Sequence, residues 1–116
     1  MARYPARRRL GQVSPPQRGE VYWVNLNPVV GREIAKRRPG MVVSPDEMNR
    51  VLGMVIVAPV TSTMRPWPTR VTIAVRGRRR SVALDQIRAV DASRLGKRIA
   101  TVDAGPALAV LREMFA

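Results

Sequence analysis

Chemistry in this chain must come from arginine, lysine, carboxylate and hydroxyl groups, because its 116 residues include no His and no Cys. That excludes a Ser-His-Asp triad, a thiol nucleophile, a disulfide framework and His- or Cys-ligated metal. The remaining types fall into a few groupings. Arg32, Lys36, Arg37 and Arg38 lead into an apolar run that starts at Pro39. A guanidinium fork matches phosphate oxygens, and Arg38 sits at the strand boundary, where a sheet would fix its direction. For Arg32, Lys36 and Arg37 the alternative is a solvated loop. Thr61-Ser62-Thr63 closes another apolar run, which puts hydroxyls at the rim of a sheet; read alone, such a run also satisfies strand-end backbone groups. In Asp85-Gln86-Ile87-Arg88, the carboxylate could serve as a base or as an arginine's partner. Arg65 and Trp67 lie in a proline-broken basic loop, where the indole could stack on a base of single-stranded RNA or pack on its own loop. Arg76-Gly77-Arg78-Arg79-Arg80 reads as a charged hairpin loop that needs no function beyond blunting aggregation.

The charge points to a partner. Lys and Arg number 21 against 8 Asp and Glu, a formal +13 at pH 7, and Lys36 and Lys97 are the two lysines. A field of that sign favours nucleic acid, an anionic membrane or an acidic protein segment. The longest apolar stretch, Val51 to Val60, is far short of the ~20 residues a membrane helix needs. No apolar run follows the basic N-terminus, so no secretory leader is expected and the expected compartment is the cytoplasm.

These groupings need a scaffold. The length suits one domain. Residues 1–17 are expected to be a basic, flexible arm, and residues 18–116 the domain. Residues 20–26, 39–44, 53–60, 70–75 and 81–85 read as strands, with further short strands at 86–90 and 97–102. The run GMVIVAPV at 53–60 is apolar throughout, as in a strand buried on both faces. Trp23 is expected in the core. Residues 46–51 suit a helical turn, and Asp91 to Leu95 another with Ser93 as its cap. Gly105-Pro106 opens a C-terminal helix with Leu108, Leu111 and Phe115 on one face. The expected fold is mainly β (α+β): a small, SH3-like, strongly curved antiparallel barrel with a short helix and a C-terminal helix. A homodimer fits so apolar a small chain.

Several ordered blocks resemble the MazF/PemK/Kid family of toxin–antitoxin ribonucleases. They are Arg18-Gly19-Glu20-Val21, Pro28-Val29-Val30-Gly31-Arg32-Glu33 and Arg38-Pro39, then Ser44-Pro45 with Asn49. Ala58-Pro59-Val60-Thr61-Ser62, Leu84-Asp85-Gln86-Ile87-Arg88 and the Asp91–Leu95 turn continue the likeness, which covers residues 18–115. The resemblance implies a homodimeric toxin that cuts single-stranded RNA without a metal or other cofactor. It also implies a cognate, MazE-like antitoxin whose acidic, disordered tail covers the RNA surface. By motif match it makes Arg38 and Thr61 catalytic; among the residues present, Glu33, Asp85 or a perturbed Arg38 is left as the base, with Arg38 expected to stabilise charge. The His that some family members carry beside the loop Glu is Arg32 here, and the Arg others carry two residues before the Asp is Ala83. Arg32, Lys36, Arg37, Ser62, Thr63, Arg65, Trp67, Gln86 and Arg88 are then the expected RNA contacts. Two other readings are a CcdB-like toxin that binds gyrase through its C-terminal helix without catalysis, and a small basic RNA-binding protein.

Overall fold

The computed structural model describes residues 14–116, so positions 1–13 of the expected arm lie outside the described residues. Pro15 to Gln17 line a shallow groove against Asp46, Glu47 and Arg50 of the first helix. Asn49 of that helix donates to the Pro16 carbonyl (3.0 Å) and hydrogen-bonds Ser44, which explains the Ser44…Asn49 block as a structural tie.

Seven strands form one curled antiparallel sheet, a half-barrel, with two helices. In chain order they are β1 (Glu20–Asn25), β2 (Arg37–Val42), α1 (Asp46–Leu52), β3 (Met54–Thr61), β4 (Arg70–Val75), β5 (Arg78–Ala83), β6 (Arg88–Asp91), β7 (Leu95–Thr101) and α2 (Gly105–Met114). The strand order is β4-β5-β3-β2-β1-β7, and β6 pairs with the first half of β3 on the edge that β5 takes at its end.

Period-2 alternation gives the sheet a core on each face. On one face Val21, Met41, Ala58, Val60 and Val82 pack against Ala107 of α2. On the other, Val24, Val42, Val55, Val57 and Val90 pack beneath Val29 and Ile34 of the β1–β2 loop. The continuous apolar run is therefore β3, buried on both sides, as its sequence requires.

Four local expectations need correction. The Arg-rich hairpin loop is only Arg76-Gly77, both at left-handed φ (51° and 77°), and Arg78 to Arg80 already belong to β5. Such a two-residue turn needs φ above zero at both positions, so it matches the twist of the flanking strands. Asp91, not Ser93, caps the turn after β6, accepting from the Ser93 amide at 2.8 Å. The buried face of α2 runs through Ala107, Val110 and Leu111, while Phe115 is 73% exposed beyond the helix end. Trp23 is only half-buried, with the Arg37 guanidinium 5.7 Å from its ring centroid.

Candidate active site

The β2–β3 ladder pairs Gly40 with Pro59 and Val42 with Val57. Continued by two residues, that register sets Arg38 opposite Thr61, on the face that carries Val42 and Val57. Here the apolar core gives way to an open cleft of about 520 Å³, lined by Arg38, Thr61, Glu33, Trp67, Arg70 and Asp85 among others. Arg32, Thr63, Arg65 and Gln86 complete the predicted residues on its walls. A second groove of about 370 Å³ continues past Pro59 to Arg88.

The groups differ in what they have left to offer. Arg38 spends its Nε on the Ala35 carbonyl (2.9 Å), and no described residue bonds its two terminal amino groups. Thr61 is 7% exposed, and its Oγ1 accepts from the Thr63 amide (3.1 Å), which leaves the hydroxyl proton free to donate. Glu33 uses Oε1 to hold the Val30 amide (2.6 Å), and no described residue bonds Oε2. Asp85 is fully engaged: Arg70 binds it bidentately (2.7 and 3.2 Å) and the Thr69 hydroxyl donates to it (3.0 Å). Burial pushes the Asp85 carboxyl up, but the Arg70 hydrogen bonds, a backbone hydrogen bond and Thr69 outweigh it and hold it below the usual carboxylate range.

Several expected contacts prove to be braces. Gln86 accepts from the Ile34 amide (2.6 Å) and donates to the Arg32 carbonyl (3.3 Å), pinning the β1–β2 loop. Arg88 holds the same loop through the Leu26 carbonyl (2.8 Å). Arg37 lies on the opposite face of the sheet, over Trp23, and neither Lys36 nor Ser62 lines the cleft. Arg70 was not anticipated. It stacks on Trp67, 4.6 Å from the centroid, with Arg65 at 5.6 Å. A hairpin centred on Arg76-Gly77 pairs Arg70 with Ala83, two residues from Asp85, so turn geometry was the signal that could have found it.

Comparison with known proteins gives one consistent result. A family model described as PemK-like, MazF-like toxin of type II toxin-antitoxin system matches residues 17–114. The endoribonuclease EndoA of Bacillus subtilis is 37% identical over 93 residues, covering 75% of this chain and 80% of EndoA. The crystal structure of MazF from Deinococcus radiodurans superposes with a TM-score of 0.74 at 32% identity, over 86% of this chain and 93% of that one. A MazE-MazF crystal structure from the same organism gives 0.67 at 32% identity, over 85% and 91%.

Proposed function

Because the chain belongs to the PemK-like, MazF-like toxin family of type II toxin–antitoxin systems, we propose that it is an endoribonuclease that cuts single-stranded RNA at short sequence motifs without a metal ion. The observation that carries this reading is that Arg38 of β2 and Thr61 of β3 line one open cleft, each with donors that no described residue uses.

The ribose 2′-OH attacks the adjacent phosphorus, and charge builds on the non-bridging oxygens. Arg38 and Thr61 donate to those oxygens, a contact that strengthens as the charge develops. Glu33 takes the 2′-OH proton on its free Oε2; Asp85, locked to Arg70, acts by holding that arginine under Trp67. The P–O5′ bond breaks, the 5′-oxygen takes a proton from water in the open cleft, the hydroxide left takes the proton from Glu33, and the products are a 2′,3′-cyclic phosphate and a 5′-OH. Trp67 offers a face for a splayed base. Loss of the RNA that is cut inhibits translation and growth. The partners that fit are a second copy of the chain and a MazE-like antitoxin whose acidic tail competes for the cationic cleft. Residues 18–116 act as the toxin domain in the cytoplasm.

The test is incubation of a long single-stranded RNA in EDTA with the wild type, Arg38→Ala and Thr61→Ala. Discrete fragments with 5′-OH ends from the wild type alone are expected. Intact RNA across several unrelated sequences, or blocked supercoiling with RNA left whole, would overturn the reading.

A further inference from the structure

The strand register gives one residue of the arginine-rich hairpin a specific position. Directly opposed residues of an antiparallel ladder share a face, and so do residues two apart on a strand. Thr61 opposes Ser81, and Ser81 opposes Thr72. The row therefore runs from Arg38 through Thr61 and Ser81 to Thr72 on the cleft face of four adjacent strands. One ladder step toward the turn on that face is the Arg79–Ala74 pair. Arg78 and Arg80 alternate to the other face, where Arg78 opposes the buried Val75 and Arg80 opposes Ile73.

Arg79 is also uncommitted, as is Arg78 on the other face, so the face and not the freedom of the side chain separates the two. The Arg79 side chain is exposed and makes no hydrogen bond or ion pair with a described residue. Arg80 turns its Nη1 to the Arg79 carbonyl (2.9 Å), and Arg76 reaches toward the Ile99 carbonyl (3.4 Å). Two residues along β5 and one strand across put the Arg79 Cα about 8 Å from that of Thr61, with a further reach of its own side chain. The two residues of β4 beside this path, Thr72 and Ala74, are small and exposed.

We propose that Arg79 is a second phosphate-binding residue, holding the RNA strand at a linkage flanking the one cut between Arg38 and Thr61. The proposal rests on the ribonuclease reading and adds to it a positioning contact on β5. Its ligand is a backbone phosphate, because a guanidinium on a strand of small neighbours offers a fork and a charge but no pocket for a base.

The experiment uses an RNA with a mapped cut site and single neutral methylphosphonates placed in turn at the flanking linkages. Wild type, Arg79→Ala and Arg78→Ala are compared by KM and kcat. One methylphosphonate should raise the wild-type KM roughly tenfold, and Arg79→Ala should show the same rise on native RNA with kcat nearly unchanged. In Arg79→Ala that methylphosphonate should cost nothing further, since the two changes remove one contact. Arg78→Ala should behave as wild type. Additive losses, equal effects of Arg78→Ala and Arg79→Ala, or a fall in kcat alone would each overturn the proposal. So would unchanged RNA kinetics in Arg79→Ala with weakened inhibition by an acidic antitoxin peptide, which would assign the residue to carboxylates. A wild type that cuts no RNA removes the ribonuclease reading and this contact together; a wild type that cuts no better than Arg79→Ala removes only the contact.

Discussion

A guanidinium is a strong donor and a poor proton acceptor, and the cleft uses its two central arginines differently. No described residue bonds the terminal amino groups of Arg38, whereas Arg70 is locked to Asp85 and laid against Trp67. Arg38→Ala should therefore lose about 10²–10³ in kcat, the cost of one oxyanion donor. Arg38→Lys should recover little of it, because a single ammonium cannot replace the fork. The base assignment divides the two carboxylates. If Glu33 takes the proton, Glu33→Gln lowers kcat with KM little changed, while Asp85→Asn spares kcat and raises KM, a split read from steady-state cleavage kinetics. Asp85 has its own pH signature. Its folded-state carboxyl titrates below the ordinary value, so its contribution to stability is present above the unfolded value of about 4 and is lost as pH falls through the folded one. Urea unfolding should show wild type more stable than Asp85→Asn at neutral pH, with the gap closing as the pH falls below about 4. A gap that holds constant down to pH 2 would mean that the ion pair does not carry it.

At the scale of elements, the site depends on a loop that the sheet holds from below. The β1–β2 connection brings Arg32 and Glu33 to the cleft, and Gln86 and Arg88 bind its backbone from the segment after β5. Gln86→Ala should raise KM and speed hydrogen exchange at the Ile34 amide, while global stability changes by only about 1 kcal/mol. The sheet itself tolerates less. A Cβ at Gly40 would stand 2.8 Å from Val24 Cγ2 and 3.6 Å from the Val57 Cβ. Gly40→Ala should therefore cost about 1–3 kcal/mol by overpacking, read as a lower urea midpoint. The same contrast explains what was legible in the sequence. Apolar alternation and the double-faced run at β3 are properties of neighbouring residues, so most strands and the curled sheet could be read. The positions of Arg38 and Thr61 came with them, because strand ends are visible in the pattern, whereas their role rests on the family resemblance. The bracing by Gln86 joins side chain to backbone across distant segments and leaves no local trace. The tight turn at Arg76-Gly77 lacks the usual Asn-Gly pair, so β5 was read as starting at Ser81 and the pairing of Arg70 beside Asp85 was hidden. In α2 the small Ala107 carried the buried face, while the larger Phe115 suggested a different one.

For the whole molecule, the decisive quantity is the formal +13 that remains after 8 carboxylates are counted against 21 cations. Of the eight carboxylates, at least four are occupied with structure: Glu20 with Tyr22 and Arg98, Asp46 with the Arg18 amide, Asp85 with Arg70, Asp103 with the Gly105 amide. What remains is a field that repels itself in the free protein and is relieved by a polyanion. Around the cleft, Arg32, Arg38 and Arg65 line the wall and Arg79 follows on the same face. If these four meet phosphates, the logarithm of RNA affinity should fall with the logarithm of salt at a slope of about −3, the single-strand value of roughly 0.7 per contact. Between 50 and 200 mM salt the affinity should then drop about 50-fold. The measurement is equilibrium binding of an uncleavable RNA, with 2′-deoxy at the cut site, across that range. Arg79→Ala should reduce the slope by about 0.7, and Arg78→Ala should leave it unchanged although it removes the same charge. A slope near zero would mean that bases, not phosphates, hold the strand, and the cationic face would then need another occupant. A slope that falls equally for both variants would mean that the field acts as a whole, with no residue of the hairpin placed for a particular linkage.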